Sequence, residues 1–215
     1  MTAHWSIALA TTNRGKLAEY RLLLADLPVE LVSYGSLFPG KPQAPEDGAT
    51  LEENATIKAR AAAGDAVMVT IAEDSGLEVD ALGGRPGVRS ARFAREGATD
   101  AENNAALLAA LNEIDDHQRT ARFRCVIALL DPWSDEPMVV AEGRCEGTIA
   151  RQARGTGGFG YDPLFLVDGY ERTMAELTEA EKNLVSHRAR AVSALRPRLD
   201  ALIQSRLTSA ALLGG

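Results

Sequence analysis

Two adjacent carboxylates, Glu73 and Asp74, follow the apolar run Val67, Val69 and Ile71 and precede the small pair Ser75-Gly76. The pattern predicts a strand that buries those three residues and ends at the carboxylates, where ligands collect in open α/β sheets. Asp74 is the leading candidate for general-base or metal-ligand chemistry. Three other segments carry residues suited to a polyanion or a flat ring. Thr11-Thr12-Asn13-Arg14-Gly15-Lys16 joins a strand over 6–10 to a helix striped by Leu17, Tyr20, Leu24 and Leu27, and so offers amides and Lys16 to an anion. It lacks the glycine spacing of a Walker A or dinucleotide loop and fits an ordinary strand-turn-helix equally well. In Gly157-Gly158-Phe159-Gly160-Tyr161-Asp162-Pro163, glycines flank a ring that stacks on a base or fills a core. Lys182 and His187 are five apart and cannot share one face of a continuous helix, so a break is expected, with Ser186 capping a new helix that starts at His187-Arg188.

The elements that position these groups are legible in outline. Thr50 with Glu53, Thr99 with Glu102 and Thr178 with Glu181 have the spacing of capping boxes. The first opens an alanine-rich helix expected to end at Gly64. Its Asn54 and Lys58 lie four apart on one face, a polar pair that either projects into a cleft or, the preferred reading when taken alone, faces solvent. Glu46 and Asp47 sit in a Pro/Gly loop. Strands over 121–130 and 138–144 with a short connection predict an antiparallel hairpin. Pro197 is expected to bend or stop the last helix.

The net charge of −7 excludes nonspecific nucleic-acid binding, which needs a basic surface. No apolar run is long enough to cross a bilayer, and Cys125 and Cys145 form no metal or redox motif. A cytoplasmic location is therefore expected, with no membrane partner. Residues 1–205 are expected to form one domain and 206–215 a flexible tail.

Taken together, Thr12-Asn13 with Lys16, Glu53-Asn54-Ala55 with Lys58, Asp74-Ser75-Gly76-Leu77, the glycine-rich Phe159 segment, Glu181-Lys182 and Ser186-His187-Arg188 resemble the Ham1-type inosine triphosphate pyrophosphatases. The resemblance extends from about Ile7 to Leu202. It implies an α/β fold with an elongated mixed sheet flanked by helices, two lobes with a nucleotide cleft between them, and a homodimer. It implies hydrolysis of dITP, ITP and XTP to the monophosphate and pyrophosphate with Mg²⁺. By the same resemblance Asp74 is the general base and a metal ligand, Glu46 is a second acidic group at the metal, and Glu73 is either a further ligand or a group that orients Asp74. The Thr11 to Lys16 loop with Lys58 and Lys182 holds the triphosphate, and Ser75 lines the site. Phe159 stacks on the purine, while Gly160, Tyr161, Asp162, His187 and Arg188 read its edge. Thr12 in place of a glycine and Glu73 in place of an aspartate depart from the family pattern. A Maf-like pyrophosphatase and a nucleotide sensor without turnover are the competing readings. Ser186-His187-Arg188 weighs against the first, and the presence of Asp74 and Glu46 against the second.

Overall fold

The computed structural model describes residues 5–136 and 138–213. Strands β1 (Trp5–Leu9), β2 (Val29–Ser33), β3 (Thr70–Val79), β4 (Thr120–Leu130), β5 (Val139–Ile149) and β6 (Phe165–Val167) form one sheet in the order β2-β1-β3-β4-β5-β6. β1 runs parallel to β2 and β3, whereas β3 to β6 pair antiparallel, so the sheet is mixed and the fold α/β. The helices are α1 (Arg14–Leu23), α2 (Tyr34–Leu37), α3 (Leu51–Ala66), α4 (Asp100–Ala110), α5 (Glu179–Val185) and α6 (His187–Leu213).

β3 is where the structure departs most from the expected strand. It does not stop at the carboxylates but carries them in its middle, with β4 paired along its whole length. The strand that ends there is β1, whose contact with β3 covers only Thr70 and Ile71. Backbone pairing on this edge stops with the Ala10 N–H on the Ile71 carbonyl and resumes only where the Val79 N–H donates to the Arg85 carbonyl. Between them the Leu77 N–H is taken by the Ser90 hydroxyl. The site therefore opens at the carboxyl end of a strand, but of β1 rather than β3. Val67 lies outside the strand as well. It is 57% exposed and caps α3 in the left-handed region, because that helix continues through Gly64 to Ala66.

Alternation along β3 sends neighbouring residues to opposite faces. Ile71, Ile127 and Cys125 pack on one face with Tyr20 of α1 and Ala191, Val192, Leu195, Leu199 and Ile203 of α6. Ala72, Val126 and Ala128 pack on the other with Leu51, Ala55, Ala59 and Ala62 of α3. A third cluster, including Leu77, Val79, Phe165 and Leu107 of α4, fills the far end of the sheet. Glu73 shares the α1/α6 face and Asp74 the α3 face.

The boxes at Thr99 and Thr178 form as expected. At Thr50 only half does: its side chain caps the Glu53 amide, but Glu53 Oε2 accepts from the Ala49 N–H. The break at Ser186 is present, with Ser186 Oγ accepting from the Ala189 N–H. Pro197 does not stop α6, whose apolar stripe on the sheet outweighs one lost backbone bond, and the helix carries residues 206–213 with it. α6 approaches β5 at Gly143, where a side chain would overlap the His187 carbonyl and the Ala191 amide, and this contact delivers His187 and Arg188 to the gap beside β3.

Candidate active site

A cleft of about 300 Å³ opens at that gap. Its walls include Thr11, Thr12, Asn13, Lys16, Glu46, Lys58, Glu73, Ser75, Phe159, Gly160, Tyr161, Asp162, Lys182, His187 and Arg188. Arg14 and Gly15 are not part of that wall, and Asp74 lies behind Lys58, 5% exposed. Six parts of the chain thus converge, at 11–16, Glu46, Lys58, 73–75, 159–162 and 182–188.

On the α3 face, Asp74 is held from both sides: Asn54 Nδ2 donates to Oδ2 at 3.1 Å and Lys58 Nζ to Oδ1 at 2.8 Å. Lys58 also donates to Glu46 Oε1 at 2.8 Å. The Asn54-Lys58 face is fully buried rather than solvated, because α3 lies against β3 with this face toward Asp74. Burial lifts the Asp74 carboxyl above its ordinary value against the pull of Lys58. Burial works to discharge Lys58, but Asp74 and Glu46 outweigh it and hold the ammonium charged. Asn54 also makes a second bond that its spacing from Lys58 does not predict. Its Oδ1 accepts from the Gly48 N–H at 2.8 Å and so ties the Glu46 loop to Asp74.

On the α1/α6 face, Glu73 accepts from Arg188 Nε at 2.7 Å, Arg188 Nη2 at 3.0 Å and the Tyr20 hydroxyl at 2.9 Å, and pairs with Lys16 Nζ at 2.7 Å. Burial would raise this carboxyl, but Arg188 and Lys16 outweigh it and hold it well below the usual range. Arg188 also pairs with Glu19. Its guanidinium is therefore committed to carboxylates, with its flat centre 5.6 Å from the Phe159 ring centroid. The anion loop is likewise partly committed, since Asn13 Oδ1 already accepts from the Gly15 and Lys16 amides. Thr11 Oγ accepts from the Asn13 N–H, and Thr12 reaches Gln43.

At the other end, Lys182 Nζ donates to Asp162 Oδ2 at 2.9 Å. Gly158 has φ +76°, and a Cβ there would overlap both groups of that pair. Gly158→Ala is expected to cost roughly 1–2 kcal/mol in backbone strain alone and to displace Lys182. A lowered Tm with a raised KM checks this, and wild-type values for both would refute it.

His187 stacks on Phe123 at 4.8 Å, and its buried Nδ1 has no hydrogen-bond partner among the described residues. Burial, with Arg188 nearby, holds its pKa well below the ordinary 6.5. The unfolded chain takes up a proton there as pH falls below about 6.5 and the folded chain does not, so stability drops with acid. The slope approaches about 1.4 kcal/mol per pH unit for this one group. Urea midpoints at pH 7.5, 6 and 5 should fall in the wild type, and more shallowly in His187→Gln. Parallel slopes would contradict a neutral buried imidazole.

The donor set can be tested for a metal. Asp74 and Glu46 converge on one cationic centre, the Lys58 ammonium, and both offer hard oxygen. No group of three or more His, Cys, Asp or Glu suited to a metal occurs among the described residues. Two carboxylates completed by phosphate oxygens and water are what Mg²⁺ ordinarily takes. Glu73 faces the opposite side of β3 and is occupied by Arg188 and Lys16, an arrangement that fits a positioning group better than a third ligand.

Fold and site together define an α/β protein with a cleft lined by lysines paired to carboxylates and by an aromatic ring, with the buried Asp74 behind Lys58. The chain belongs to the Ham1 family, whose model matches residues 7–198. It is 50% identical to a dITP/XTP pyrophosphatase of Desulforamulus reducens over 86% of this chain and 91% of the relative. It is 48% identical to a dITP/XTP pyrophosphatase of Methylococcus capsulatus over 91% and 96%. The solved structure of a HAM1 protein from Coxiella burnetii superposes with a TM-score of 0.82 at 44% identity, covering 92% of this chain and 99% of that one.

Proposed function

We propose that this protein hydrolyses dITP, ITP and XTP between the α- and β-phosphates, releasing the monophosphate and pyrophosphate. The observation that carries the reading is the buried Asp74, pinned by Asn54 and Lys58 beside a cleft that also holds Lys16, Lys182 and Phe159. Kinship with two dITP/XTP pyrophosphatases at about half identity supports it.

Asp74 orients a water and takes its proton as that water attacks the α-phosphorus in line. Lys16, Lys58 and Lys182 hold the triphosphate and stabilise charge on the departing pyrophosphate. Phe159 stacks on the purine and Ser75 lines the wall. Lys16, Lys58, Lys182 and Arg188, with Arg92 on Glu46, are five cations set against six carboxylates, Glu19, Glu46, Glu73, Asp74, Asp100 and Asp162, so the side chains alone do not attract a polyanion. A divalent cation, Mg²⁺ in this reading, would be held by Asp74 and Glu46 and would supply the missing positive charge.

The base is chosen at His187 and the Phe159 loop. A 6-oxo purine accepts from a buried donor such as the imidazole N–H, while a 6-amino purine leaves it unpaired at about 1–3 kcal/mol, one to two decades in specificity. We place the enzyme in the cytoplasm as a homodimer. No helix among the described residues is long and apolar enough to cross a membrane, and both cysteines are buried free thiols.

Pyrophosphate release from dITP, XTP, dGTP and dATP with Mg²⁺ tests the reading. Guanine shares the 6-oxo group, so its rejection falls to the backbone of the Phe159 loop against its 2-amino group. Turnover of dITP and XTP well above both dGTP and dATP is expected. Equal turnover of all four would refute the base selection, and none at all the reaction.

A further inference from the structure

The Phe159 loop is tied down by a helix to which the sequence reading gives no part in the site. Asp100 opens α4 and Asn104 lies one turn later on the same face. Asp100 Oδ2 accepts from the Gly160 N–H at 2.7 Å, and Asn104 Nδ2 donates to the Gly160 carbonyl at 2.9 Å. Both backbone polar groups of the residue after Phe159 are therefore held by one helix. Gly160 sits at φ +61°, where two-sided bonding fixes a conformation that glycine would otherwise leave freely. The next residue is tethered too, with the Tyr161 hydroxyl donating to the Ser90 carbonyl at 2.8 Å. α4 itself is anchored to the same segment, since Asn103 accepts from the Ala94 N–H and donates to the Ala91 carbonyl.

We infer that Asp100 and Asn104 are positioning residues that clamp Gly160 and thereby set the Phe159 ring for the purine. This rests on the proposed function for the identity of the ligand, but the clamp itself is independent of turnover. Neither residue bonds to Lys16, Lys58, Asp74 or Lys182. The clamp should therefore affect recognition of the base and leave recognition of the phosphates alone.

The test uses the full chain as wild type, Asp100→Asn, and the double variant Asp100→Ala/Asn104→Leu. The double variant should raise KM for dITP about tenfold, the worth of one net hydrogen bond. Its kcat should stay within about threefold, and the inhibition constant of inorganic tripolyphosphate, which has no base, should be unchanged. Asp100→Asn keeps an acceptor oxygen and should behave as the wild type. A merely structural role would instead lower kcat through the active fraction, or weaken tripolyphosphate equally, and either result overturns the inference. Amide exchange over 155–163 should quicken in the double variant, and exchange at the wild-type rate overturns the clamp. If the wild type does not turn over dITP, the functional reading fails by itself, and the exchange result still decides the clamp.

Discussion

Asp74→Asn should lower kcat for dITP by about 10²- to 10⁴-fold, the range for loss of a positioned general base. The change removes little volume but reverses the local hydrogen bonding. Both Asp74 oxygens accept, one from Asn54 and one from Lys58, so an amide in either orientation sets a donor against a donor. Some loss of stability, roughly 1–3 kcal/mol, should therefore accompany the loss of rate. Single-turnover rates normalised to folded protein separate the two effects. Asp74→Glu keeps the charge and the acceptors, and should recover part of the rate if proton transfer is the function lost. Activity within threefold of the wild type in folded Asp74→Asn would remove this residue from the role of base.

The largest stability effect should fall one residue earlier. Glu73→Leu leaves Arg188, 2% exposed, without its bidentate partner and Lys16 without its carboxylate. Breaking a buried pair by removing one member costs about 3–5 kcal/mol, and in a chain of this size each kcal/mol lowers Tm by about 2–4 °C. A drop of roughly 6–20 °C is expected. Arg188→Leu on top of Glu73→Leu should recover much of it, because no uncompensated charge then stays buried. Additive losses in that cycle, or a Tm unmoved by the first change, would show that the ion pair is not what holds α6 against β3 here. The adjacent carboxylates thus divide, one expected to act in the reaction and the other to hold the wall.

That division could not be read from two adjacent acidic letters. The sequence alone determined the capped helices, the α5–α6 break at Ser186, the hairpin of β4 and β5 and the order of the motifs, because each depends on spacing within a few residues. It also made Asp74 and Phe159 candidates by residue type, and Lys58 by resemblance. Only the tertiary structure decided where β3 loses its parallel neighbour, since that depends on how far β1 runs beside it. Only packing buried Asn54 and Lys58, a helix face that amphipathic spacing reads as solvated. Arg188 spends its charge on Glu73 and Glu19, and α4 reaches Gly160 with Asp100 and Asn104, through contacts spanning 115, 60 and 56 positions. Local rules carry no information at such separations, because these pairings are made by how whole elements dock and not by the residues that flank them.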